Sequence, residues 1–136
     1  MDLARAAEDP AWWWMARLLF LMLDDLTSAS PWIVLPPVCP TDSPEQLHRY
    51  LQLLPFLRPL ICELWVSQRA ALPIVLDQRT AGAAVSLRTS AGKTRVAEVA
   101  MISALLRSPN CNVMYLAPFR SLAFEVEQNF QAVFGP

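Results

Sequence analysis

The chain has 136 residues, 54% of them hydrophobic, and a formal net charge of −1, which allows about one small domain with a single core and excludes extended disorder. The near-neutral balance excludes a global basic field as the means of holding nucleic acid. Cys39, Cys62 and Cys111 stand far apart beside a single histidine, His48, so a zinc site is not expected, and the odd cysteine count points to a reducing, intracellular setting.

Trp12, Trp13 and Trp14 lie in a strongly apolar run from Ala11 to Leu23. The run contains Arg17, ends at Asp24 and Asp25, and at 13 residues is shorter than the roughly 20 of a membrane span. Asp2, Glu8 and Asp9 outnumber Arg5 at the start, unlike the basic opening of a signal peptide. The expectation is a buried or interfacial helix over 10–26, with Pro10 in its first turn and no membrane association. Residues 30–44 contain Pro31, Pro36, Pro37, Pro40 and Pro44, which predicts an extended connector. Ser43-Pro44-Glu45-Gln46 then reads as a capping box opening a helix with Leu47, Tyr50, Leu51 and Leu54 inward, stopped or kinked at Pro55. A further helix is expected over 65–76, kinked or broken at Pro73, followed by a polar turn over 77–82.

From residue 83 the pattern alternates. Ala83 to Leu87 reads as a buried strand. Arg95 to Leu106 carries Val96, Val99, Ala100, Ile102, Leu105 and Leu106 at near-helical spacing. After a turn at 108–110, a strand over 112–117 and a helix over 120–133 complete a β-α-β-α order. That order predicts a right-handed crossover and an α/β fold with a parallel sheet, preceded by a helical N-terminal segment. Residues 61–136 carry seven Lys/Arg and five Asp/Glu, and residues 1–60 carry four and seven, an asymmetry too small to identify a partner.

Between the first strand and its helix stand Thr89-Ser90-Ala91-Gly92-Lys93-Thr94. A loop entering a helix N-terminus aims backbone N–H groups and the positive end of the helix dipole at one point. Gly92 lets the backbone approach an anion, Lys93 can reach β/γ-phosphate oxygens, and the Thr94 hydroxyl can ligate Mg²⁺. The general pattern wants a small residue five positions before Gly92, where this chain has Leu87.

Three blocks fall in order: Leu64-Trp65-Val66-Ser67-Gln68, the loop with its extension Arg95-Val96-Ala97-Glu98, and Leu116-Ala117-Pro118-Phe119-Arg120-Ser121-Leu122-Ala123. Together they resemble the start of a superfamily-two DEAD/DEAH-box helicase, closest to the superkiller-type and DNA-repair branch. The resemblance covers about residues 61–136 and implies a partial RecA-like ATP-binding domain. Residues 1–60 stand apart as a helical, proline-rich segment. By resemblance, Gln68 would read the adenine edge, residues 89–94 would hold the phosphates of ATP with Mg²⁺ on Thr94, and Pro118 and Arg120 would touch a DNA or RNA backbone. Glu98 is read as an ordinary helix-surface residue. Leu122, Ala123 and Val126 are read as the inward face of the last helix.

No Asp-Glu box follows the third block, and no second RecA-like domain supplies an arginine finger. The expectation is therefore a chain truncated after motif Ia, holding the nucleotide cradle of an ATP-dependent helicase with no complete catalytic set. Alone it should be inert and prone to self-association through apolar surface. The alternative is a nucleotide-binding interaction module that docks a partner through its apolar N-terminal helix. A P-loop kinase would not need the Ala-Pro-Phe-Arg block.

Overall fold

The computed structural model describes residues 10–39, 41–57, 60–88, 90–108 and 110–134. In chain order these hold α1 (Pro10–Ala29), α2 (Pro31–Val38), α3 (Pro44–Leu53), a 3₁₀ turn (Leu54–Phe56), α4 (Val66–Val75), α5 (Lys93–Arg107) and α6 (Arg120–Phe134). There is no β-strand among the described residues. The expected α/β architecture, a partial RecA-like parallel sheet, is therefore overturned. Segments 83–87 and 112–117 are irregular, with no ladder partner, and an unsupported pair of strands is only marginally stable. Val85 and Leu87 instead pack from the side against a helical core, while Met114 and Leu116 are exposed.

That core is one cluster. Leu35 and Cys39 end the α2 region, Leu47, Tyr50 and Leu51 come from α3, Ala71 and Leu72 from α4, and Val96, Val99, Ile102 and Leu106 from α5. The cluster thus draws on residues from both sides of position 60. The buried residues of α5 recur every three or four positions, one face of a 3.6-residue period. Leu54, Ile61 and Leu64, between α3 and α4 in sequence, also belong to it. Ile61 N–H donates to Leu54 O at 3.3 Å, and Leu64 N–H donates to Ala29 O at 2.7 Å.

Several local expectations need correction. The proline-rich segment contains helix α2, with Pro36 and Pro37 inside it. The first four N–H groups of a helix have no internal acceptor, so eight residues leave few ladder bonds for proline to remove. Pro31, Leu35 and Cys39 fall at i, i+4 and i+8 and are all buried, which ties the helix to the core. Ser43 is the N-cap of α3 without a side-chain cap bond, so the expected capping box does not form. Ser43 N–H donates to Thr41 Oγ1 at 2.9 Å instead. The inward face Leu47, Tyr50, Leu51 and Leu54 is buried as expected.

The N-terminal helix, expected over 10–26 and either buried or interfacial, runs over Pro10–Ala29. It is longer than the 13-residue apolar run, and Ala29 is its only buried residue. Trp12, Leu18, Phe20 and Leu23 are each more than half exposed. The stretch Pro10–Val38 is long and apolar enough to cross a membrane by length and composition alone. After α4, Asp77 turns the chain: its carboxylate accepts the Arg79 backbone N–H at 3.0 Å and the guanidinium Nε at 2.9 Å. Hydrogen bonding to Arg79 holds the Asp77 pKa down at about 2.

Candidate functional site

Helix α5 begins where the glycine of the loop turns the chain. Gly92 is its N-cap, with φ 74° and ψ 34°, a left-handed conformation that costs other L-residues about 1–2 kcal/mol. Ser90 also has a positive φ, 64°. Thr89 lies outside the described residues. Ala91 N–H donates to Arg88 O at 3.1 Å and Arg95 N–H to Gly92 O at 3.1 Å, so a tight turn runs directly into the first turn of the helix.

Lys93 folds back over this turn. Its Nζ donates to Leu87 O at 2.9 Å and to Arg88 O at 3.0 Å. An ammonium has three donors, so two hold the loop's entry and one remains. Lys93 meets Leu87 at its carbonyl while the Leu87 side chain packs against the core, so the missing small residue at that position does not prevent the closure.

From the other side, α4 clamps the loop. Gln68 is 5% exposed. Its Oε1 accepts the Trp65 N–H at 2.8 Å, capping α4, while its Nε2 donates to Gly92 O at 3.3 Å. Ser67 Oγ donates to Ala91 O at 3.3 Å. A Cβ on residue 92 would lie 2.0 Å from Gln68 Nε2, so a side chain there would displace the Gln68 amide as well as strain φ. Each end of the Gln68 amide is engaged with backbone, leaving one N–H and one oxygen lone pair for any further partner.

Beside the clamp opens a cavity of about 400 Å³. Gln68, Gly92 and Thr94 line it with Trp65, Arg95 and Glu98, and the far wall comes from residues 60–63 and from Glu125 and Asn129 of α6. Of the sequence-predicted residues, three meet in this cavity. Ser90, Ala91 and Lys93 form the adjoining loop. Pro118 and Arg120 lie elsewhere, at a bend and at the exposed first residue of α6. In that helix Val126 is buried and Leu122 half-buried, but Ala123 is exposed, which narrows the expected inward face.

Glu98 is not a surface residue. It is 1% exposed, receives the Tyr50 hydroxyl at 2.8 Å and pairs with Arg95 Nη1. Burial pushes its carboxyl pKa up, against the pull of Arg95 and Tyr50. Burial, with Glu98 alongside, also pushes the Tyr50 hydroxyl far up. Sequence reasoning placed Tyr50 inward but had no signal for the partner of its hydroxyl, 48 residues away. Ser67, Arg95, Glu125 and Asn129 were missed for the same reason.

Residues 65–136 match the DEAD/DEAH box helicase family. The chain belongs to that family. Its match begins at the α4 cap and takes in residues 89–94 and the 116–123 block. A relative, the Hachiman protein HamB of Bacillus cereus, is 36% identical over 134 residues, 98% of this chain. The chain spans 12% of the length of that relative. No solved structure matches. The DEAD/DEAH assignment reaches the same blocks that carried the resemblance, and the HamB alignment extends over nearly all of the N-terminal segment as well.

Proposed function

We propose that residues 89–94 bind the phosphates of ATP and that the chain supplies the nucleotide cradle of an ATP-dependent, nucleic-acid-directed motor of the superkiller-type and DNA-repair branch. The observation that carries this reading is Lys93. Its ammonium is pinned by Leu87 O and Arg88 O above a left-handed Gly92, beside a cavity lined by Gln68, Thr94 and Trp65. The donor set fits a triphosphate with Mg²⁺. Lys93 and the loop N–H groups are cationic or donating, Gly92 allows close approach, and Thr94 offers a hydroxyl. Lys93 and the loop would hold the phosphates, Thr94 the metal, and Trp65 with Gln68 the base. Bound Mg²⁺ would neutralise phosphate charge.

Pro118 and Arg120 are proposed to meet a DNA or RNA backbone, where a guanidinium fork suits phosphate oxygens without reading sequence. The division at residue 60, an intracellular setting and self-association through α1 belong to the same reading. Titration calorimetry with ATP and Mg²⁺ tests it. Lys93→Ala should weaken binding by the roughly 1.5–3 kcal/mol of a charge-assisted contact. Equal affinity for both proteins refutes the phosphate cradle. ATP turnover by the 136-residue chain, with or without nucleic acid, should stay at background, because phosphoryl transfer also needs water-positioning and charge-neutralising groups that the resemblance assigns to other motifs.

A further inference from the structure

One turn beyond the loop, α5 carries a buried ion pair with an anchor outside its own helix. Glu98 Oε1 takes both the Tyr50 hydroxyl, from α3, and Arg95 Nη1, from the preceding turn of α5. The Glu98 side chain is 2% exposed and that of Arg95 is 20% exposed. Both line the 400 Å³ cavity with Gly92 and Thr94. A buried carboxylate is tolerated only with compensating donors, and here the compensation comes from two directions. The result is a guanidinium with a fixed address. It uses Nη1 on Glu98, and a guanidinium has five N–H donors in a rigid fork.

The charges around the cavity give that address a purpose. Glu63, Glu98 and Glu125 all line it, and among the described lining residues Arg95 is the cation. Lys93 stands outside that lining. An anion reaching from the loop toward Thr94 would face three carboxylates if Arg95 turned away. With Arg95 held against Glu98, that carboxylate is paired, and donors of the fork not used on Glu98 can face the anion.

We propose that Arg95 contacts the phosphate groups of a nucleotide bound at the loop, and that Glu98 and Tyr50 are positioning residues that hold its guanidinium in place. This rests on the phosphate-loop reading above. It adds a cation and gives the N-terminal segment, through Tyr50, a role in nucleotide affinity.

The test uses the full chain and two probes: ADP by titration calorimetry, and adenosine, which lacks phosphate, by saturation-transfer NMR. Arg95→Ala should weaken ADP about tenfold, the scale of one charge-assisted contact, and leave adenosine binding unchanged. Arg95→Lys should recover part of the loss, since it keeps the charge but not the fork. Tyr50→Phe and Glu98→Gln should each weaken ADP several-fold, and neither should add to the loss in an Arg95→Ala background. Tyr50→Phe keeps the buried ring, so it carries the test if Glu98→Gln does not fold. Additive losses, or equal losses for ADP and adenosine, overturn the proposal by reducing Tyr50 and Glu98 to packing roles. Lys93→Ala separates the two levels. If it abolishes ADP binding while Arg95→Ala binds like the unsubstituted chain, the loop stands and this inference falls. If Lys93→Ala binds ADP normally, the loop reading falls and this one with it.

Discussion

Replacing Gly92 with alanine should damage the loop by two separable routes. The first is backbone strain: φ is 74°, and a side chain there costs about 1–2 kcal/mol. The second is contact. The new Cβ would sit 2.0 Å from Gln68 Nε2, so the amide must leave. That removes its bond to Gly92 O and its cap on Trp65 N–H, each worth about 0.5–1.5 kcal/mol net. Gly92→Ala alone should therefore destabilise by about 2–5 kcal/mol. In a Gln68→Ala background the obstructing amide is gone and only the strain of about 1–2 kcal/mol remains. Urea unfolding followed by circular dichroism, applied to both single variants and the double, measures the coupling. The expected coupling is about 1–3 kcal/mol. Additivity within about 0.5 kcal/mol refutes the clamp, because it would mean that residue 92 and Gln68 do not share a contact.

Three further outcomes follow from the structure. Tyr50 and Glu98 both have folded pKa values raised mainly by burial, so each contribution to stability is complete below the unfolded value and is lost as pH rises through the folded one. Thermal stability should fall on raising the pH above the ordinary carboxyl value of 4.5 and again above the ordinary phenol value of 10.0; Glu98→Gln should flatten the first limb and Tyr50→Phe the second. The exposed apolar face of α1 should drive self-association, and Leu18→Lys with Phe20→Lys should shift sedimentation velocity toward monomer; an unsubstituted chain that sediments as a monomer at all concentrations contradicts this. In a variant keeping Trp65 as the sole tryptophan, ATP should change the fluorescence more than GTP does, and Gln68→Ala should erase the difference; identical responses to the two nucleotides in the unsubstituted background remove Gln68 from base recognition.

Helix positions were the most legible part of the chain. The periodic residues Val96 to Leu106 fall inside α5, Lys93–Arg107, because a helix needs only local hydrogen bonds and one apolar face. The strands were misread for the complementary reason. Ala83 to Leu87 and residues 112–117 have strand-like composition, but a strand exists only with a neighbour to pair with, and periodicity says nothing about neighbours. Pro36 and Pro37 misled in the opposite sense, since a helix of only eight residues has few internal bonds for proline to interrupt. In the candidate site, the loop entering α5 was readable because Gly92, Lys93 and Thr94 stand together at the helix start. The Gln68 clamp and the Tyr50–Glu98–Arg95 network were not, because both join positions far apart in sequence.

Trp65 and Gly92 cap α4 and α5, and the amide of Gln68 touches both caps. Two helix starts are thereby held within the reach of one side chain. Each carries about half a positive charge, and neither has an acidic residue in its first turn to offset it. Like partial charges brought this close raise the local potential together. In a chain of pI 5.7, the two dipoles thus set a positive contribution against the three carboxylates of the neighbouring cavity, one that no count of lysines and arginines would locate.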